Sequence, residues 1–177
     1  MWFTHCISNS AGVNFLEAHH WSEMDAEISL WTDVSNVSLA FWSPEVEAAF
    51  VESVKDTNIH YGDIFFNEAL AVVSVIEWVA HLPDKPQQVL IYTDSMNMVD
   101  IFHSLTANLN YILLLFWAVK IMMDFGVDVW VVHIPGTKDV IVDALSHLLF
   151  QVVTSLHPGL NISIFQPPRD ELGAVWE

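Results

Sequence analysis

The chain has 177 residues, 53% hydrophobic and only 15% charged, which is enough apolar matter for one packed domain and excludes a disordered chain. Its 22 acids against five Lys and Arg give a net charge of −17, which repels phosphate and sets a stringent condition on any nucleic-acid role. The single cysteine, Cys6, excludes an internal disulfide and a thiolate zinc site.

Mean hydropathy is +0.40, so some apolar surface is expected to be covered by a partner or a neighbouring module. The opening Met1-Trp2-Phe3-Thr4-His5 has neither a basic region nor a long apolar run. No secretory signal is therefore expected, and the location is intracellular, in cytoplasm or nucleus. The most membrane-like stretch, YILLLFWAVKIMM, has 13 residues and holds Lys120. A span needs roughly 20, so a buried helix and no membrane contact is the reading.

Residues 1–27 are poorly patterned and read as an N-terminal extension, with His19-His20 as a solvated pair. Ile28 to Val34 reads as a strand, Ser35-Asn36 as a turn, and Val37 to Trp42 as the second strand of a hairpin stopped by Pro44. Ala48 to Val51 is a short third strand. Asp63 to Ala80 has helical apolar spacing at Phe66, Leu70, Val73, Ile76 and Val79, with Asp63 as N-cap. Pro83 and Pro86 mark a loop before the strand Val89 to Thr93 and a short helix over Ser95 to Leu105. Leu109 to Phe125 is an apolar helix ended by Gly126. Val127 to Ile134 is a strand, Pro135-Gly136 a turn, and Asp139 to Leu149 or beyond a last helix. Residues 28–150 form the domain, and 151–177 read as a tail or linker. A hairpin followed by strands alternating with helices indicates an α/β fold, a mixed sheet with helices on its faces.

Four acids sit at element boundaries among apolar neighbours, where ionised groups are costly unless paired or metal-bound. Asp33 lies near the end of the first strand, Glu68 in the first turns of the first long helix, Asp94 at a strand end, and Asp143 just inside the last helix. Ligands of open α/β sheets collect at carboxyl strand ends. If the strands of Asp33 and Asp94 are adjacent and parallel, the two carboxylates meet. A cluster of hard oxygens favours Mg²⁺ or Mn²⁺. Two such ions about 4 Å apart activate water and stabilise the leaving oxygen of a phosphodiester. The alternative is that these are separate caps and surface acids.

The phrases LWTDVSNVSLAFW, FFNEALAVVSVIEW, VLIYTDSMNMVDIFHSL and VVHIPGTKDVIVDALSHL together resemble the RNase H domain of retroelement reverse transcriptase polyproteins, of LTR and DIRS type and nearest to fungal elements. The likeness covers roughly residues 13–150, and ISIFQPPRDELG resembles the segment on the C-terminal side of the domain in those elements. It implies an RNase H-like fold: a five-stranded mixed sheet, three strands antiparallel and then two parallel, flanked by helices. It implies a metal-dependent endoribonuclease that hydrolyses the RNA strand of RNA–DNA hybrids with two Mg²⁺ ions, Mn²⁺ being a substitute. Motif by motif, the ligands fall on Asp33, Glu68, Asp94 and Asp143, and a histidine that helps proton movement or product release falls on His133. The implied partners are an RNA–DNA hybrid and a reverse transcriptase module, covalent or docked. Departures are Val34-Ser35 after the first Asp, Ser38 and Ala40 where glycines are usual, Asp139 for Asn and His147 for Arg. These departures and the acidity give the alternative of a non-catalytic remnant with a structural or interaction role. An integrase-type strand transferase is disfavoured by the HIPG and DALS phrases.

Overall fold

The computed structural model describes residues 21–54, 64–109 and 111–168. The expectations for Cys6, the His19-His20 pair and the Asp63 cap fall outside these residues.

Six strands form one sheet in the order β5-β4-β1-β2-β3-β6. β1 (Ile28–Val34), β2 (Ser38–Ser43) and β3 (Ala48–Ser53) are an antiparallel meander. β4 (Gln88–Thr93) runs parallel to β1, and β5 (Asp128–His133) parallel to β4. This is the mixed sheet expected from the sequence, with one strand more. The sixth, β6 (Asn161–Ile164), pairs in parallel with β3 on the far edge.

The period of two along each strand divides the side chains between two faces. Leu30, Phe41, Val89, Ile91, Val129 and Val131 point into the larger core, under helices α1 (Ile64–Ala80), α2 (Met96–Ser104) and α3 (Ile112–Phe125). α1 lies against the sheet with α3 over it, so most of its residues are buried, and its one core hydroxyl, Ser74, bonds back to Leu70 O at 2.6 Å. Gly126 ends α3 in the left-handed region at φ 68, with its N–H on Met122 O, as its position past the apolar run implies. Ala40, Trp42, Ala49 and Val51 point to the other face, under α4 (Val140–Ser146) and α5 (Phe150–Leu156).

Two expectations differ from the structure. The last helix is not continuous. Leu148 takes a left-handed conformation at φ 58, Leu149 N–H turns back to Ala144 O at 2.7 Å, and α5 starts afresh at Phe150. The stretch after residue 150, expected as a tail, instead builds α5 and β6. Val153 is fully buried and, with Leu160 and Ile162, packs against the face made by Trp42 and Val51. Residues 21–27, expected as part of an extension, also cover the sheet. Trp21 is buried edge-on against Trp130 with ring centroids 5.5 Å apart, and its indole donates to Asp128 Oδ2 at 2.7 Å. Among the described residues no helix is long and apolar enough to cross a membrane.

Candidate active site

The pairing of β1 with β4 decides where the acids fall. Thr32 stands opposite Thr93 in parallel register, so Asp33 and Asp94 follow one another at the carboxyl ends of neighbouring strands. Asp33 shares its face with Trp31, and Trp31 stacks on Tyr92 of β4 at a 4.9 Å centroid distance. The half-buried Asp33 carboxyl is held above the usual carboxylate range. Burial is the main cause; the Ser146 hydroxyl opposes it, and the charges of Asp94 and Asp143 add to it.

Asp94 is exposed and lies under the turn after β5. A Cβ on Gly136 would stand 3.2 Å from Asp94 Oδ2, so glycine lets this turn close down on the carboxylate. The same turn carries Lys138, a fixed cation. Glu68, on the first turns of α1, accepts a 2.5 Å hydrogen bond from Ser95, the residue after Asp94. Asp143 sits in the first turn of α4, its side chain 60% exposed, with His147 Nε2 at 3.8 Å.

The fold thus brings Asp94 and Asp143 within electrostatic reach of Asp33 and ties Glu68 to the junction beside Asp94. His133 ends β5 opposite Thr93. The pleat assigns it the face of Val129 and Val131, away from Asp33, and among the described residues no hydrogen bond or ion pair joins it to any of the four acids.

Asp139, a departure from the family's usual Asn, proves to be structural. It is 6% exposed, caps α4 by accepting from Val142 N–H at 3.2 Å, and accepts from the Trp42 indole at 3.3 Å. Burial pushes its carboxyl up to about 6, against these hydrogen bonds, with the charge of Asp33 adding to the rise. The serines of the β1–β2 turn also point inward. Ser35 and Ser38 are buried, and both donate to Ser146 O at 2.6 Å. Their side chains therefore do not stand in the way of a ligand approaching from outside. Ser146, inside the DALS phrase, donates its own hydroxyl to Asp33 Oδ2. The phrase carries part of the family resemblance, yet nothing local in the sequence singles out this serine.

In kind, the donors fit a hard divalent cation: all are carboxylate oxygens, and among the described residues no Lys or Arg neutralises Asp33, Asp94 or Asp143. In arrangement they stand open, because no three His, Cys, Asp or Glu side chains among the described residues close around one point. Asp94 and Asp143 are both exposed.

No family model matches the sequence, and no curated protein does. Solved structures do. LC11-RNase H1 in complex with an RNA/DNA hybrid superposes with a TM-score of 0.56 at 16% identity, covering 67% of this chain and 93% of that one. RNase H1 from the halophilic archaeon Halobacterium salinarum NRC-1 superposes with a TM-score of 0.54 at 14% identity, covering 71% and 98%. The fold is that of RNase H. At such identities the RNase H likeness speaks for architecture: the β1-β2-β3 meander, the parallel β4 and β5, and the helices on both faces.

Proposed function

We propose that the chain is a divalent-metal-dependent endoribonuclease that hydrolyses the RNA strand of RNA–DNA hybrids, and that it comes from the RNase H part of a retroelement reverse transcriptase polyprotein. The observation that carries this reading is the side-by-side emergence of Asp33 and Asp94 from parallel β1 and β4, with Asp143 in electrostatic reach of Asp33 and, among the described residues, no Lys or Arg paired with any of the three. The RNase H1 neighbour solved with an RNA/DNA hybrid supports the choice of substrate. The retroelement origin rests on the sequence phrases.

In this reading Asp33, Asp94, Asp143 and Glu68 hold two Mg²⁺ ions, with Mn²⁺ as a substitute. When bound, the ions supply water activation and charge stabilisation at the scissile phosphate. The chain's own work is positional. β1 and β4 are rigid sheet elements that fix Asp33 and Asp94, while Ser95 aims Glu68 from α1. Asp143 rides on α4, and the turn holding Gly136 and Lys138 closes over Asp94 and brings a cation toward the phosphates. His133 stands one residue before that turn, and the proton-movement or product-release role that the resemblance implies for it is part of this proposal. With a net charge of −17, grip on the hybrid falls to a reverse transcriptase module beside this domain.

The test is cleavage of a labelled RNA–DNA hybrid in Mg²⁺ or Mn²⁺. Asp94→Asn should lower it below detection without changing the melting curve. Cleavage that survives Asp94→Asn would remove the assigned site. The open arrangement of the acids and the scarcity of fixed cations favour a second reading, a folded remnant that no longer cuts. Cooperative unfolding together with no binding of Mn²⁺ or hybrid selects that one.

A further inference from the structure

Ser146 occupies the last turn of α4, where a helix leaves its carbonyls without intrahelical partners. Its carbonyl is nevertheless doubly satisfied, by the hydroxyls of Ser35 and Ser38. Ser35 Oγ in turn accepts from Val37 N–H at 3.0 Å, which braces the β1–β2 turn. The end of α4 is therefore fastened to the end of β1 and the start of β2. The side chain of Ser146 is fully buried, and its hydroxyl reaches two acceptors, Asp33 Oδ2 and, farther off at 3.0 Å, the Asp143 carbonyl on its own helix; Asp33 is the nearer. One turn earlier on the same helix stands Asp143.

We propose that Ser146 is the positioning residue for Asp33: its hydroxyl holds one carboxylate oxygen toward α4, turns the other outward, and so fixes the spacing between Asp33 on the sheet and Asp143 on the helix. The inference rests on the metal-binding reading above and adds a residue to it. Orientation by an outer hydrogen bond is how carboxylate ligands are generally held, and losing such a partner weakens metal affinity by about 10–100-fold. A carboxylate with one oxygen held against the protein enters a site with less freedom to lose.

The experiment is calorimetric titration of the full chain with Mn²⁺ alone, needing no substrate and no turnover. Wild type, Ser146→Ala, Asp33→Asn and the double variant form a cycle. Ser146→Ala is expected to weaken the Asp33-dependent site by about 10-fold, and to have no further effect once Asp33 is Asn. A serine that merely supported the fold would lower the melting temperature in both backgrounds and leave the Mn²⁺ isotherm of the single variant unchanged. That unchanged isotherm, with Asp33→Asn losing the site, overturns the proposal and leaves the metal site standing. Identical isotherms for wild type and Asp33→Asn overturn the metal reading, and this proposal with it. Should Ser146→Ala not fold, Ser146→Cys, close in volume and a weak donor, provides the same comparison.

Discussion

The two faces of the sheet are held by different physics. Under α1, α2 and α3 the buried side chains are almost all hydrocarbon, and Phe41, Leu30, Leu70, Ile76 and Ile91 are closed to solvent. Under α4 the sheet meets a web of hydroxyls, an indole and carboxylates: Ser35, Ser38 and Ser146, Trp42, Asp139 and Asp33. The first face can stabilise the molecule without regard to direction, because apolar burial is non-directional. The second face pairs most of the polar atoms it buries, His157 Nδ1 beside Trp42 being an exception, and in doing so it determines where charges point. The larger hydrocarbon core thus lies on one side of the sheet, while the other side combines a smaller apolar cluster with the placement of charge.

Substitutions should expose this division. The largest effect belongs to the apolar face. Leu70→Ala removes a fully buried side chain and should lower unfolding free energy by about 2–5 kcal/mol, read from chemical denaturation. A loss far smaller would mean that the larger core is loosely packed and the contrast false.

Next comes Asp139 on the polar face. Its carboxyl is raised from 3.8 to about 6 in the folded chain, so the native state holds its proton more firmly than the unfolded state. The contribution is full below 3.8 and is lost as pH climbs through 6; above that, burying the ionised group costs up to about 3 kcal/mol. Asp139→Asn keeps the cap and discards the charge. At pH 7 the variant should be more stable by up to that amount, and its melting temperature should lack the fall between pH 4 and 7 contributed by this group. Identical pH profiles for the two proteins would show the carboxyl to be paired or hydrated in solution.

The smallest effect is that of Ser38→Ala. Ser146 O retains Ser35 as donor, so only one of two hydrogen bonds goes, and the loss should be about 1 kcal/mol by denaturation. A loss as large as that of Leu70→Ala would make the hydroxyl web, rather than the hydrocarbon core, the principal source of stability.

The apolar face was also the more legible in sequence. Alternation in Ile28–Val34, the apolar run of α1 and the Gly126 stop each state their own structure locally. The positions of Asp33 and Asp94 followed from strand ends, and the parallel pairing of β1 with β4 turned that into adjacency. Two features carried no local signal. The break between α4 and α5 falls on Leu148, with neither glycine nor proline to mark it; tertiary packing of Val153 and Ile162 overrides the preference of a leucine for a right-handed turn. β6 is four residues long and comes after a proline-glycine turn, so in isolation it looks like linker. The polar web was the least legible of all. Serines at 35, 38 and 146 acquire their roles only from contacts more than one hundred residues apart in the chain. Asp139, a departure by motif, is by geometry a cap and an indole acceptor.

The sixth strand has a practical consequence for anyone dividing this polypeptide. A fragment cut after residue 150 would strip β6 from β3 and lay bare that strand's backbone donors and acceptors. It would also withdraw Phe165 from Phe41, whose ring it meets at 4.9 Å, and open the hydrocarbon interior at its margin. Such a trimmed piece would clump through its naked edge, so poor recovery of a short version would report on where the knife fell and not on the chemistry of its carboxylates.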